Sequence, residues 1–184
     1  PDFVALDLET TGLDSRSDRI IEVGAVRYVK GREVDRYSAL VNPGRPIPEA
    51  VVGLTGITDA DVAEAPSFAA IAEAVMQFVG SSPICGHQVG FDITFLAEEI
   101  KRLGGNRINN PRIDTAGLSR LLLPQLMGYT LGQVSAHLEV GLANAHRALD
   151  DARASGEVAV ALIPKLTEIP PRTRRIMAEF APRS

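Results

Sequence analysis

Asp7 and Glu9 stand two residues apart in Leu6-Asp7-Leu8-Glu9-Thr10-Thr11-Gly12-Leu13. In an extended chain both carboxylates point to the same face, and like charges so close repel unless a cation sits between them. Asp92 follows Gly86-His87-Gln88-Val89-Gly90-Phe91 and shares a helical face with Phe95, Leu96 and Leu103, so it should look into the protein. A buried carboxylate needs a cation or hydrogen-bond donors, and the plain alternative at a helix start is an N-cap. In His146-Arg147-Ala148-Leu149-Asp150-Asp151 two carboxylates compete. Asp151 falls on the packed face with Ala148, Ser155, Val158 and Leu162. Asp150 falls on the charged face with Arg153 and Glu157 and reads as a solvated helix charge with Arg153 at i+3. His146 precedes Asp151 by five residues, at or just before the helix start, and can approach a site from the loop side.

Four inward carboxylates without cysteine or paired histidines favour hard, oxygen-loving cations, Mg2+ or Mn2+ rather than zinc. Two such ions about 3.5–4 Å apart activate a water on one side and stabilise a leaving oxygen on the other, which is phosphodiester chemistry. A neutral histidine nearby is the natural general base for the attacking water.

The rest of the chain must position these groups. It has 184 residues, 45% of them hydrophobic and 23% charged, which suits one globular domain and excludes a disordered chain. Its one cysteine, Cys85, forms no internal disulfide, so a reducing, cytoplasmic setting is expected. No apolar run approaches the roughly 18 residues of a membrane span, and Pro1–Glu9 lacks the pattern of a signal peptide. Lys and Arg total 19 against 23 Asp and Glu, so setting aside four metal-binding carboxylates leaves 19 against 19. The acidic excess therefore does not exclude nucleic acid, because bound cations can receive the phosphate. No broad basic surface of a tight, non-specific DNA binder is present, so contact with nucleic acid should be local.

Phe3–Glu9, Arg19–Val29 and Glu33–Val41 read as strands, the last two joined by a turn at Lys30-Gly31-Arg32. Asn42–Pro48 breaks the pattern with three prolines. Helices are expected over Pro66–Val79, Phe91–Leu103, Thr130–Leu138 and Ala145–Ile163, with short strands at Pro83–Gly86 and Arg112–Asp114 and a last helix at Pro170–Phe180. Three antiparallel strands followed by helix–strand units imply an α/β fold with a mixed sheet flanked by helices. Residues 1–164 read as the domain. Residues 165–184, with five basic residues against two acidic, read as a basic helical extension or linker.

Taken together, Asp7–Leu13, Gly86–Asp92 and His146–Asp151 resemble, in order and spacing, the DEDDh (DnaQ-like) family of 3′–5′ exonucleases, of the proofreading, epsilon-subunit type. The resemblance covers about residues 2 to 163. It implies a ribonuclease-H-like fold with a five-stranded mixed sheet. It implies two divalent ions, bridged by Asp7, with Glu9 and Asp151 completing one site and Asp92 supporting the other. His146 would take the proton from the attacking water. Thr10, Gly12 and Leu13 match the stretch that holds the terminal nucleotide, and His87 and Phe91 match pocket-lining positions. Arg147 stands where the sister class carries tyrosine, which excludes that variant. Gln88 departs from the usual Asn, a change that touches local pocket geometry and not the metal site. The segment Leu54–Phe68 and Thr10 favour the proofreading and repair branch. The expected substrate is a single-stranded or frayed DNA 3′ end, acted on beside a polymerase, a helicase or a further domain of a longer chain. RNA trimming, an RNase-H-type endonuclease and an inactive binding module are the alternatives.

Overall fold

The computed structural model describes residues 1–170. Five strands form one sheet: β1 (Phe3–Thr10), β2 (Ile20–Val29), β3 (Arg32–Leu40), β4 (Ile84–Gly86) and β5 (Arg112–Asp114), in the order β3-β2-β1-β4-β5. β1 pairs antiparallel with β2 and β2 with β3, whereas β1–β4 and β4–β5 are parallel. This is the mixed sheet expected from the order of elements. The β2–β3 hairpin turns on Lys30 and Gly31, both at positive φ (52° and 75°), the backbone that matches strand twist in a two-residue turn.

Seven helices lie among the described residues: α1 (Glu49–Thr55), α2 (Asp59–Val62), α3 (Phe68–Val79), α4 (Gly90–Arg102), α5 (Thr115–Leu122), α6 (Leu131–His137) and α7 (Ala148–Leu162), with a 3-10 turn at Ile163–Thr167. They cover both faces of the sheet. Val4, Leu6 and Leu8 of β1 pack with Val75 and Val79 of α3 and with Phe95 and Leu96 of α4. Phe3 and Ala5, on the opposite face of β1, pack with Val26, Tyr28, Ala152 and Ala159 under α7. Because both faces of β1 are covered, the strand is nearly continuously apolar. Strand alternation then sends Asp7 and Glu9 to the α7 side.

Three helices lie where no helix was expected. α1 carries Gly53 and two β-branched valines, and it is stopped by Gly56 at φ 72°. α2 is a single turn held by a Thr58–Asp61 capping box. α5 is started by the Asp114 side chain, which accepts from Ala116 N. α7 starts at Ala148 rather than Ala145, because His146 sits at φ 65° and Arg147 is extended, neither of which continues a helix. The expected last helix, Pro170–Phe180, lies outside the described residues apart from Pro170, as does most of the segment 165–184. No helix among the described residues is long and apolar enough to cross a membrane.

Candidate active site

The carboxylates meet where β1 ends. The β1–β2 register slips between Glu9 and Thr10, a bulge that breaks pairing just past the two acidic residues. Asp92, on the first turn of α4, is 4% exposed and reaches back to β1, where its Oδ1 accepts from Leu8 N at 3.0 Å. Its carboxylate thus lies against the backbone between Asp7 and Glu9, rather than capping its own helix. Asp151 comes from the first turn of α7, and its Oδ2 accepts from His146 N at 3.1 Å. The His146 ring is exposed, yet one of its ring nitrogens and one carboxylate oxygen each from Glu9 and Asp151 lie within 4.8 Å of one another.

The electrostatics are those of crowded, buried carboxylates. Burial pushes the Asp7 carboxyl well above its ordinary range, and Asp92, Asp151, Glu9 and Glu22 add to the push. Burial, with Asp151 and Glu22, raises Glu9 to about 7 against a smaller opposing pull from Arg147. Asp92 is pushed up to about 8, mainly by burial, although the Leu8 N–H opposes it. Asp151 is raised too, again mainly by burial. Asp151 Oδ1 is buried and has no hydrogen-bond partner among the described residues. An orphaned oxygen among raised carboxyls, all of them hard donors, fits a divalent cation. Binding one would release the protons these groups hold.

The remaining expected residues sit around this cluster. Thr10 is buried and its hydroxyl donates to Gly12 O at 2.6 Å. A Cβ on Gly12 would overlap the Asp18 carboxylate unless that side chain moved. That carboxylate accepts from the Thr11 hydroxyl at 3.0 Å and from Asp14 N at 3.1 Å, closing the loop after β1. Leu13 at the loop tip is 87% exposed, so it belongs to no core. Phe91 stacks at a tilt on Phe95, centroids 4.8 Å apart. His87 spends both ring nitrogens internally, Nδ1 against Thr115 Oγ1 at 3.0 Å and Nε2 against Tyr129 O at 2.7 Å. A ring nitrogen facing a carbonyl must donate, so Nε2 carries the hydrogen. Burial holds this imidazole below its ordinary range. Gln88 occupies φ 63°, a left-handed position that Asn tolerates better than Gln. The strain is held by Asp114, whose Oδ1 accepts from Gln88 N at 2.9 Å.

Two features were not foreseen. Asp150 bonds the Asn144 amide at 2.8 Å rather than Arg153, which turns instead to Glu33 and Glu157. Glu22 of β2 is 2% exposed and receives Arg147 Nη2 at 2.7 Å and Ala148 N at 2.9 Å. The available signal was a lone acid inside the otherwise apolar run Ile20–Val26.

A family model described as Exonuclease matches residues 4–159. The chain is similar to the DNA polymerase III PolC-type of Clostridium perfringens, 39% identical over 157 residues that make up 85% of this chain and 11% of that protein. It is similar to the DNA polymerase III subunit epsilon of Aquifex aeolicus, 34% identical over 164 residues, 89% of this chain and 81% of that protein. Exonuclease X, solved in complex with 5′ overhanging duplex DNA, matches with a TM-score of 0.71 at 25% identity, covering 89% of this chain and 92% of that one. The chain thus spans about a ninth of the length of the PolC-type relatives.

Proposed function

Because the chain belongs to the DEDDh exonuclease family and has its ribonuclease-H-like fold, we propose that it hydrolyses the last phosphodiester bond at 3′ ends of single-stranded or frayed DNA, releasing nucleoside 5′-monophosphates. The observation that carries this reading is the convergence of Asp7, Glu9, Asp92 and Asp151 at the end of β1, with raised carboxyls and one buried oxygen left free. Asp7, Glu9, Asp92 and Asp151 would hold two divalent cations, Mg2+ or Mn2+, which when bound stabilise negative charge at the reacting phosphate.

The chain's own residues do the rest. His146 takes a proton from the attacking water as its oxygen bonds to phosphorus, and the bond from phosphorus to the 3′-oxygen breaks, that oxygen leaving with the electron pair and taking a proton from solvent. Its exposed ring, tied to the cluster only through the backbone N–H, is free to meet that water. The loop Thr10–Leu13 and the Phe91 ring offer backbone and apolar contacts that suit a terminal nucleotide of any base. His87 supports the pocket from behind, tying the turn before α4 to Tyr129. The polymerase-type relatives support a proofreading setting, and a polymerase or a further domain of a longer chain is the partner we infer.

The test is a 5′-labelled single-stranded DNA oligonucleotide incubated with Mg2+ or Mn2+, beside a 3′-blocked copy, an RNA copy and an EDTA control. The expected result is a ladder shortening by single nucleotides, lost with the block and with EDTA. Internal cuts in the blocked copy would contradict the proposal. Faster loss of the RNA copy would move the substrate from DNA to RNA.

A further inference from the structure

We propose that Glu22 and Arg147 form a positioning pair that sets His146 over the carboxylate cluster, an inference that rests on the exonuclease reading above. Glu22 stands opposite Glu9 in the β1–β2 ladder, and two residues on Gly24 stands opposite Asp7. Alternation puts Glu22 and Gly24 on one face of β2, beneath the start of α7. A Cβ on Gly24 would run into the Ala148 carbonyl group and Leu149 N, so α7 rests its first turn directly on that backbone. Glu22 completes the seat. Its Oε2 accepts from Ala148 N at 2.9 Å, and its Oε1 accepts from Arg147 Nη2 at 2.7 Å with Nε at 3.2 Å.

Both carboxylate oxygens are therefore engaged within the protein, unlike Asp151 Oδ1, so Glu22 is not one more cation ligand. What the pair holds is the two-residue hinge before α7. His146 occupies φ 65°, which a non-glycine residue keeps only where its surroundings impose it. The hinge is tied on one side by His146 N to Asp151 Oδ2 at 3.1 Å and on the other by Arg147 to Glu22. Arg147 is the residue between His146 and the first residue of α7. Its guanidinium is anchored in two directions on a carboxylate whose side chain is 3% exposed. The planar fork suits this grip and a lysine ammonium does not.

The experiment measures single-turnover kcat and KM on the single-stranded oligonucleotide, with Mn2+ affinity, for the 184-residue chain carrying Arg147→Ala, Arg147→Lys, Glu22→Gln, His146→Ala or the His146→Ala/Arg147→Ala pair. Arg147→Ala and Glu22→Gln are expected to lower kcat about 10- to 100-fold, with KM and Mn2+ affinity unchanged. In the His146→Ala background, Arg147→Ala should lower kcat no further, because the group it positions is gone. Arg147→Lys should recover part of the loss. The proposal is overturned if Arg147→Ala costs the same factor with and without His146, if Mn2+ affinity falls with kcat, or if kcat does not change. If Arg147→Ala fails to fold, Glu22→Gln, which keeps the side-chain shape, carries the same cycle. A wild type that cleaves no 3′ end defeats both readings, whereas an active wild type with additive losses defeats only this one.

Discussion

Glu9 and Glu22 face each other across one ladder, and both are hidden from solvent at 9% and 2% exposure. Their surroundings differ. Glu22 is hydrogen-bonded by a guanidinium and a helix N–H. Glu9 shares its space with Asp151, and burial raises its carboxyl to about 7. Burial alone does not mark a functional carboxylate in this protein. The mark is burial without compensation, which leaves donor capacity for a cation from solution. On the proposed reading the compensated carboxylate holds the scaffold, and the uncompensated ones would take the cations.

The comparison can be broken most directly at the ligands. Asp7→Asn and Asp151→Ala should each lower kcat on the order of a thousandfold or more, as expected when a group stabilising the transition state is lost. Asp150→Ala, one residue away but bonded to Asn144, should stay within about threefold of wild type, as a surface change does. Equal losses in the two α7 variants, measured on the same labelled oligonucleotide, would dissolve the distinction. Next in size is Gly24→Ala. Its added methyl meets the α7 backbone rather than a movable side chain, so it should cost about 1–3 kcal/mol in a denaturant melt and reduce activity together with stability.

The pH dependence sharpens the same contrast. Asp7, Glu9, Asp92 and Asp151 have raised carboxyls, so without metal the folded chain keeps protons that the unfolded chain releases above about pH 4. The stability they contribute is complete below that pH. It drains away as the pH climbs through about 7 for Glu9 and about 8 for Asp92. The Tm of the metal-free chain should therefore fall between pH 5 and pH 8, and Mn2+ should raise it more at pH 8 than at pH 5. A metal-free Tm that rises over this range would contradict the assignment. The smallest effect is at Leu13. At 87% exposure its replacement by Ala should change stability by less than about 0.5 kcal/mol, while slowing removal of 3′ nucleotides from paired ends more than from single strands.

Much of this site was legible in the residue order, for reasons the structure makes plain. A period of two put Asp7 and Glu9 on one face of β1, and a period of 3.6 chose Asp151 over Asp150. The mixed sheet followed from three β-rich runs preceding the helix–strand units. What stayed hidden depended on pairing across long sequence distances. Glu22 meets Arg147 across 125 positions, and only the β1–β2 register puts it opposite Glu9. His87 read as a pocket residue, and its partners Thr115 and Tyr129 lie 28 and 42 positions away. The left-handed turn at His146 left no glycine in the sequence to announce it, so α7 was expected to start three residues earlier than it does. The short α1 and α2 are held by caps and a stop rather than by a long amphipathic stripe.

The most direct measurement is a Mn2+ titration followed by electron paramagnetic resonance, on the wild type, Asp151→Asn and Glu22→Gln. Two Mn2+ ions per chain should bind the wild type and Glu22→Gln alike, and Asp151→Asn should lose at least one. A wild type that binds none, or a Glu22→Gln variant that loses Mn2+ as Asp151→Asn does, would contradict the division between uncompensated and compensated carboxylates.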